Sequence, residues 1–511
     1  MNKILVLLFL IFTQIAFLHS QEVPVKKTQK AFAQIDFMSI SMPKAEIQNE
    51  ANMGFTGIHY NLNLNDWSYA GIGLYGSVTG QRGGFFTLGV NAGVLLHITK
   101  NLYLDTGFHF GGGGGAAAPD GGGAFILPHI NLRYDFKHFA ISSGWSFIDF
   151  FDGGLIETQQ WNVALQIPLS FEYTFHHEKE TELSIGDFSL RNWQQKAKKI
   201  AFLFHLNNLN VVKKTTATSN DHLAGRTIRL AGFEFDAYQT KNWFVFVKVD
   251  GAYDGIQAGY MDVFLGGGYH LSMNKNRTNI IAKFGIGAGG GGGVDTKGGF
   301  LLYPDISIEQ QLFKDLYISL NKGYLRSPDR DFFTSSFGIG LKHYVNANGS
   351  ITDKNEFATG KFKGFEVSMG QDLYYDAKRG SNPTENLHQI SMQINFNLND
   401  NLYIAGQTSF ANFGNAGAYA EGIVGMGIKI QPLSTQRITL FTQILTGAAG
   451  GGDISTGQGL IFKPSAGIEF ALNNTLSLQM AGGLVKALGG KLNSPFLNAG
   501  LKYRFSFLKL K

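Results

Sequence analysis

Three stretches of this chain are written on one template, and that template limits what the chain can fold into. Residues 103–136 read YLDTGFHFGGGGGAAAPDGGGAFILPHINLRYDF, residues 280–313 read IIAKFGIGAGGGGGVDTKGGFLLYPDISIEQQLF, and residues 439–472 read TLFTQILTGAAGGGDISTGQGLIFKPSAGIEFAL. Each runs from an apolar strand into glycines, an Asp and more glycines, and reaches a Pro five residues after the last Gly: Gly123 to Pro128, Gly299 to Pro304, Gly459 to Pro464. Upstream, Trp67 and Trp243 each precede their Pro by 61 residues, and Leu402 precedes Pro464 by 62. Self-similarity over such distances marks internal repetition. The units span 31–175, 199–345 and 362–507, separated by the polar stretches 176–198 and 346–361.

Inside each unit the pattern has period two, as a half-buried strand requires. Ile58, Tyr60, Leu62 and Leu64 face one way, and His59, Asn61, Asn63 and Asn65 the other. From Val163 to Phe175, Leu165, Ile167, Leu169 and Phe171 share a face opposite Gln166, Ser170 and Glu172. Eight such runs are read in each unit, about 24 in all. Their connections alternate in length. Tight turns fall at Asn65-Asp66, Thr99-Lys100-Asn101, Lys137-His138, Phe313-Lys314-Asp315 and Asn473-Asn474. Longer polar or Gly-rich loops fall at 43–53, 111–123 and 151–160. The fold class is therefore all-β, an antiparallel up-and-down meander.

Composition narrows the setting. Gly is 66 of 511 residues, about 13% where about 7% is usual. Charged residues are 16%, against about 25% in an ordinary soluble domain. Cysteine is absent, which excludes a disulfide scaffold, a thiolate metal site and a Cys nucleophile. A net charge of +5 over this length does not indicate nucleic acid. Lys3, the apolar run Ile4 to Phe17, and Ser20 before Gln21 read as a cleaved signal peptide over 1–20. A meander with long loops at one end, tight turns at the other and an apolar outer face fits a transmembrane β-barrel.

On these features the chain resembles Gram-negative outer-membrane β-barrel proteins, and its repeat resembles their small eight-stranded class. The closing strand LKYRFSF (501–507) resembles the aromatic-ended strand by which such barrels are recognised for assembly, although Leu508 to Lys511 follow it. PLSFEYTF (168–175) and GLKHYV (340–345) resemble such strands within the chain. The resemblance implies an outer-membrane location, periplasmic linkers at 176–198 and 346–361, and outer-membrane lipid and the barrel-assembly machinery as partners.

Twenty-four strands can close once or three times. Eight strands leave room only for side chains, whereas a much larger ring leaves a lumen that is normally plugged. No stretch here is long enough to make a plug. Charges of both signs fall on the inward face of every unit: Asp105, His109, His129, Arg133, Asp135 and Glu172 in the first; Lys283, Asp305, Glu309 and Lys342 in the second; Glu366, Glu469, Lys502 and Arg504 in the third. Three tandem barrels are the favoured expectation, and one 24-stranded barrel the alternative.

The chemical candidates are few. The Gly runs lack the order of a phosphate loop, and Asp120, Asp295 and Asp453 supply one carboxylate per loop, too few for a strong calcium site. His270 and Ser272 stand two apart on one strand face and resemble the HxS pair of outer-membrane lipid hydrolases, but they abut a tight turn. The pair His176-His177 with Glu178 reads as a solvated linker. Ser189 to Lys199 reads either as the best short helix, with Trp193 able to dip into a membrane surface, or as a plain linker. No catalytic, cofactor or metal residue is assigned, and no cofactor is expected. The expected function is non-enzymatic: a structural role, or binding of a surface ligand or protein partner through the Gly-rich loops. The alternatives are a large pore gated by a partner, and a lipid hydrolase using His270 and Ser272.

Overall fold

The computed structural model describes residues 24–44, 49–175, 182–186, 193–212, 218–330, 332–352, 357–432 and 437–511. The signal segment 1–20 and the His176-His177-Glu178 cluster lie outside them. Among the described residues the chain is an all-β antiparallel barrel protein of 25 strands with three short 3-10 turns.

The first ladder holds β1 (Lys27–Ile40), β2 (Met53–Asn63), β3 (Ser68–Thr79), β4 (Phe86–His97), β5 (Leu102–Gly114), β6 (Phe125–Asp135), β7 (Ala140–Asp149) and β8 (Glu157–Phe175). Each strand pairs with the next, and β8 returns to β1 through a register that sets Gln34 against Gln166. After the three-residue β9 (Glu182–Ser184), a second ladder runs through β10 (Lys198–Val211), β11 (Thr227–Tyr238), β12 (Trp243–Asp254), β13 (Met261–Met273), β14 (Thr278–Gly290), β15 (Phe300–Gln311), β16 (Leu316–Ser327) and β17 (Phe332–Ala347). There β17 returns to β10. The third holds β18 (Thr359–Ala377), β19 (Glu385–Asn397), β20 (Leu402–Phe413), β21 (Ala420–Ile430), β22 (Ile438–Gly450), β23 (Leu460–Ala471), β24 (Leu476–Ala487) and β25 (Asn493–Leu510), with β25 returning to β18. We call these rings 1, 2 and 3.

The same irregularities recur at corresponding places. The registers of β2–β3, β11–β12 and β19–β20 each slip by one residue near the long-loop end, at Val78, Tyr253 and Asn412. The ladders β6–β7, β15–β16 and β23–β24 are each interrupted at the template proline, Pro128, Pro304 or Pro464. A proline has no N–H to give to a ladder. Tight turns are tied by one side chain: Asn65, Asn399 and Asn473 each accept backbone N–H bonds from residues two and three ahead, through their Oδ1 atoms.

The alternation decides which side chains face inward. Leu165 is 40% exposed on the outer wall while Gln166 is 1% exposed inside, where its amide reaches Gln34 at 2.9 Å. Of the expected inward charges, Asp105, His109, Glu172, Lys283, Asp305, Glu309, Lys342, Glu366, Glu469 and Lys502 are buried. His129, Arg133, Asp135 and Arg504 are half-buried.

At the tight-turn end the rings meet in a small apolar hub. Trp193 is fully buried with Leu183, Phe362 and Leu508. Its indole N–H donates to the Pro24 carbonyl at 2.9 Å, and its own carbonyl accepts from Ser350. The helix expected over 189–199 is not formed in its described part: the chain bends at Gln195, whose N–H bonds back to the Trp193 carbonyl at 2.8 Å, and Lys198 begins β10. Burial of Trp193 and the bridge of Lys196 to Ile351 hold this stretch in a non-helical path. The residues after Phe507 are not a loose tail. They lengthen β25, which reaches β8 at Phe175 and β17 at Ala347.

Candidate functional site: ring interiors and the glycine seam

The interiors are filled by ion pairs. In ring 2, Lys248 binds Asp250 and lies 3.7 Å from Asp262; Lys283 lies 2.8 Å from Glu234 and 3.6 Å from Asp305; Lys342 lies 2.7 Å from Asp236 and 3.0 Å from Glu309. His205 adds a contact of 2.6 Å to Asp250. In ring 3, Lys463 joins Asp372 at 2.7 Å and Glu421 at 2.6 Å, Lys502 joins Glu469 and Glu366, and Lys429 lies 2.6 Å from Glu366. Ring 1 uses fewer full charges. Asp36 accepts from Tyr75 at 3.0 Å and faces His59 at 3.2 Å, while Asp105 accepts from Tyr69 at 2.9 Å. Charges taken out of water are tolerated only when paired this closely.

The fill leaves little space. A cavity in ring 3 among Ser391, Gln393, Gln407, Gln479 and Asn498 has a volume of about 10 Å³, room for about one water. Sequence reasoning missed Glu234, Asp236, Lys248, Asp250, Asp262, Asp372, Glu421 and Lys463. The signal was present, since Phe233-Glu234-Phe235-Asp236 alternates as cleanly as the segments that were read.

His270 and Ser272 do not form a catalytic pair in this geometry. The Nδ1 atom of His270 lies 2.7 Å from the Tyr238 hydroxyl and 3.3 Å from Lys199 Nζ, while the Ser272 hydroxyl donates to Asn276 at 2.9 Å. The loop carboxylates are structural. Asp120 accepts the Gly115 N–H at 2.7 Å, and Asp453 accepts from both Ser381 and Asn382. Asp295 lies 3.2 Å from Arg330.

The Gly-rich loops do not stand free at the surface. They pack between rings in a cyclic order. Gly83, in the loop between β3 and β4, donates its N–H to the carbonyl of Lys297 in the Gly loop of ring 2 at 2.6 Å. Ala258, at the corresponding place in ring 2, donates to Gly457 of ring 3 at 3.4 Å, and Gly417 of ring 3 donates to Gly121 of ring 1 at 3.1 Å. Donors stand two residues before Phe85, Tyr260 and Tyr419, and acceptors two residues before Gly123, Gly299 and Gly459, so one contact is repeated three times.

Backbone touches backbone in this seam, which is why glycine is needed. A Cβ on Gly84 would sit 2.5 Å from Gly291 N, and one on Gly450 2.5 Å from Gly259 N. Gly84 and Gly259 also hold φ of +95° and +105°, where L side chains are strained. Below the seam, Phe86, Leu88, Val263, Ala288, Ile390 and Phe410 from the three rings form one apolar cluster.

No protein-family model matches the chain, and no curated protein matches it. Among solved structures, OpdQ of Pseudomonas aeruginosa is matched at 9% identity and a TM-score of 0.22, over 94% of this chain and 98% of that one. The siderophore receptor PirA of Acinetobacter baumannii is matched at 7% identity and 0.27, over 95% and 81%. A mutant of the ferric enterobactin receptor PfeA of Pseudomonas aeruginosa is matched at 9% and 0.28, over 93% and 80%. These are outer-membrane β-barrel proteins, and at such scores the likeness carries no argument about this chain's function.

Proposed function

We propose that the chain is a non-enzymatic outer-membrane protein in which three eight-stranded barrels, with boundaries near 31–175, 199–345 and 362–507, are joined in tandem as a structural membrane unit. The observation that carries this reading is that each ladder returns to its own first strand around an interior occupied by side chains. A ring of about eight strands has no room for both that fill and a channel. The apolar outer face suits lipid, and a closed ladder leaves no backbone group unpaired in it. The glycine seam supports a structural role for the Gly runs in place of surface binding.

The pore reading is separated by conductance. Purified protein reconstituted in a planar bilayer is expected to give no stable conductance step. Regular unitary steps that disappear with denatured protein would favour the pore and remove the proposed role. Location is tested by fractionation, where recovery in soluble periplasm would remove the membrane reading altogether.

A further inference from the structure

Ring 2 differs from the other two at its tight-turn end. Its three tight turns, 239–242, 274–277 and 312–315, carry Lys241, Lys275, Arg277 and Lys314, all exposed. None of the four is in an ion pair among the described residues. The one carboxylate on these turns, Asp315, is engaged by Lys509 at 3.5 Å. The corresponding turns of ring 1 set Lys100 and Lys137 against Asp66, and those of ring 3 set Arg437 against Asp400. Lys314 lies with its ammonium 5.6 Å from the centre of the Phe357 ring, a contact that leaves its charge without a carboxylate. Three units of one architecture therefore differ in this respect: one rim carries four cations without carboxylate partners among the described residues, and two are close to balance.

Directly beside these cations lies an exposed apolar girdle. Phe313 is 72% exposed and Trp243 58%, and Leu271, Met273 and Leu312 are exposed with them. Trp243 packs edge-on against Tyr269 with ring centroids 5.0 Å apart. A soluble anion would need the cations and not the girdle. A neutral lipid would need the girdle and not the cations. A ligand with an anionic head and apolar chains needs both, one residue apart along the chain, as Lys314 stands next to Phe313. Successive turns are two strands apart, roughly 10 Å, so neighbouring headgroups can each meet a cation.

We propose that the tight-turn rim of ring 2 selectively binds anionic phospholipid, with the phosphate groups held by Lys241, Lys275, Arg277 and Lys314 and the acyl chains lying along Trp243 and Phe313. The proposal rests on the membrane reading above and adds a lipid class and a place to it.

The test uses the full chain in vesicles of phosphatidylcholine with a minor fraction of phosphatidylglycerol. Spin-labelled forms of each lipid report its share of the motionally restricted shell. The unmodified protein is expected to prefer phosphatidylglycerol at low salt by at least about fivefold, the ratio worth one basic side chain at an anionic surface, and to lose the preference at high salt. The fourfold variant K241Q/K275Q/R277Q/K314Q should bring the ratio close to one. K486Q/K491Q, at the opposite end, should leave it unchanged. Equal binding of the two lipids by the unmodified protein overturns the proposal, and so does a preference that survives the fourfold variant. The salt dependence of the unmodified protein decides the matter if that variant does not fold. Failure to enter vesicles of any composition would instead count against the membrane reading.

Discussion

The N–H of Gly83 meets the carbonyl of Lys297 at 2.6 Å, across more than two hundred residues of chain. It is one of three equivalent contacts that run from ring 1 to ring 2, from ring 2 to ring 3 and back to ring 1. A cyclic set of this kind is what separate subunits form about a threefold axis. Here one chain supplies all three parts. The arrangement accounts for a sequence fact that no single ring explains: the long glycine runs recur once per unit, at the place where the next unit's backbone must approach.

Replacing Gly84 by Val places a side chain at φ +95°, 2.5 Å from the Gly291 nitrogen. The strained backbone alone should cost about 1–3 kcal/mol. The loss should fall on the seam and leave the ladders intact. After proteolysis within 176–198 and 346–361, the variant's pieces should separate in mild detergent sooner than the unmodified ones. Equal persistence of both would show that the seam contributes little.

The facing of β8 is open to a charge test. Leu165→Arg puts a cation on the outer wall near mid-strand and should cost about 2–4 kcal/mol in a lipid-refolding titration. Gln166→Arg points inward, toward the Asp105 carboxylate that Gln166 now contacts at 3.3 Å, and should be milder. A reversed order would mean that inside and outside are exchanged on this strand.

The alternation that separates Leu165 from Gln166 was legible in the sequence because strand facing is a local property: each residue alternates with its neighbours. The repeat was legible for a similar reason, since Pro128, Pro304 and Pro464 interrupt corresponding ladders. What could not be read was partnership across long separations. Nothing near Gly121 points to Gly417, and nothing near Trp193 points to Pro24 or Leu508. Loops rich in glycine look the same whether they wave in solvent or lie against another backbone. The hub misled in a different way. Ser189 to Lys199 has the composition of a helix, but burial of Trp193 and pairing of Lys196 outweigh that local preference.

Lys463 is a test of the interior. It is shared by Asp372 and Glu421 at 2.7 and 2.6 Å and is 2% exposed. Lys463→Met leaves two buried carboxylates facing an apolar chain and should cost about 3–5 kcal/mol. Adding Asp372→Asn and Glu421→Gln removes the unpaired charges and should recover much of the loss. A urea midpoint in lipid measures both. If the single variant matched the unmodified protein, the interior of ring 3 would have to be wet enough to solvate the two carboxylates.

Asp453 links two loops of ring 3 outside the strands. Desolvation acts to raise its carboxyl, but the Ser381 and Asn382 backbone N–H groups and their side chains outweigh this and hold it down to about 2, from 3.8. A lowered folded value contributes stability above the unfolded one and loses it as the pH falls through the folded one. Hydrogen exchange of 378–384 should therefore stay protected at pH 4 and open toward pH 2. Asp453→Asn should show weaker protection throughout, without that pH step. A step already complete at pH 4 would mean that these hydrogen bonds do not form.

Ring 3 offers the sharpest test of autonomy. Its closing pairing, β25 with β18, runs from Gly360 against Leu510 to Tyr374 against Phe496. Every strand of the ring thus has both neighbours within 359–511. Fused to residues 1–20, this segment should assemble by itself as a heat-modifiable, protease-resistant species on unboiled gels. It would lack its contacts with Gly121, Gly259, Phe175 and Ala347, so it should unfold at lower urea than the same ring in the full chain. If instead all strands shared a single closure, the excised segment would carry two open edges into lipid, each with a row of unpaired backbone groups. It would then be degraded or aggregate, and no folded band would appear. A folded band with the same urea midpoint as the parent would be a third outcome: the ring would be autonomous, and the seam and hub would hold the three together without stabilising any one of them.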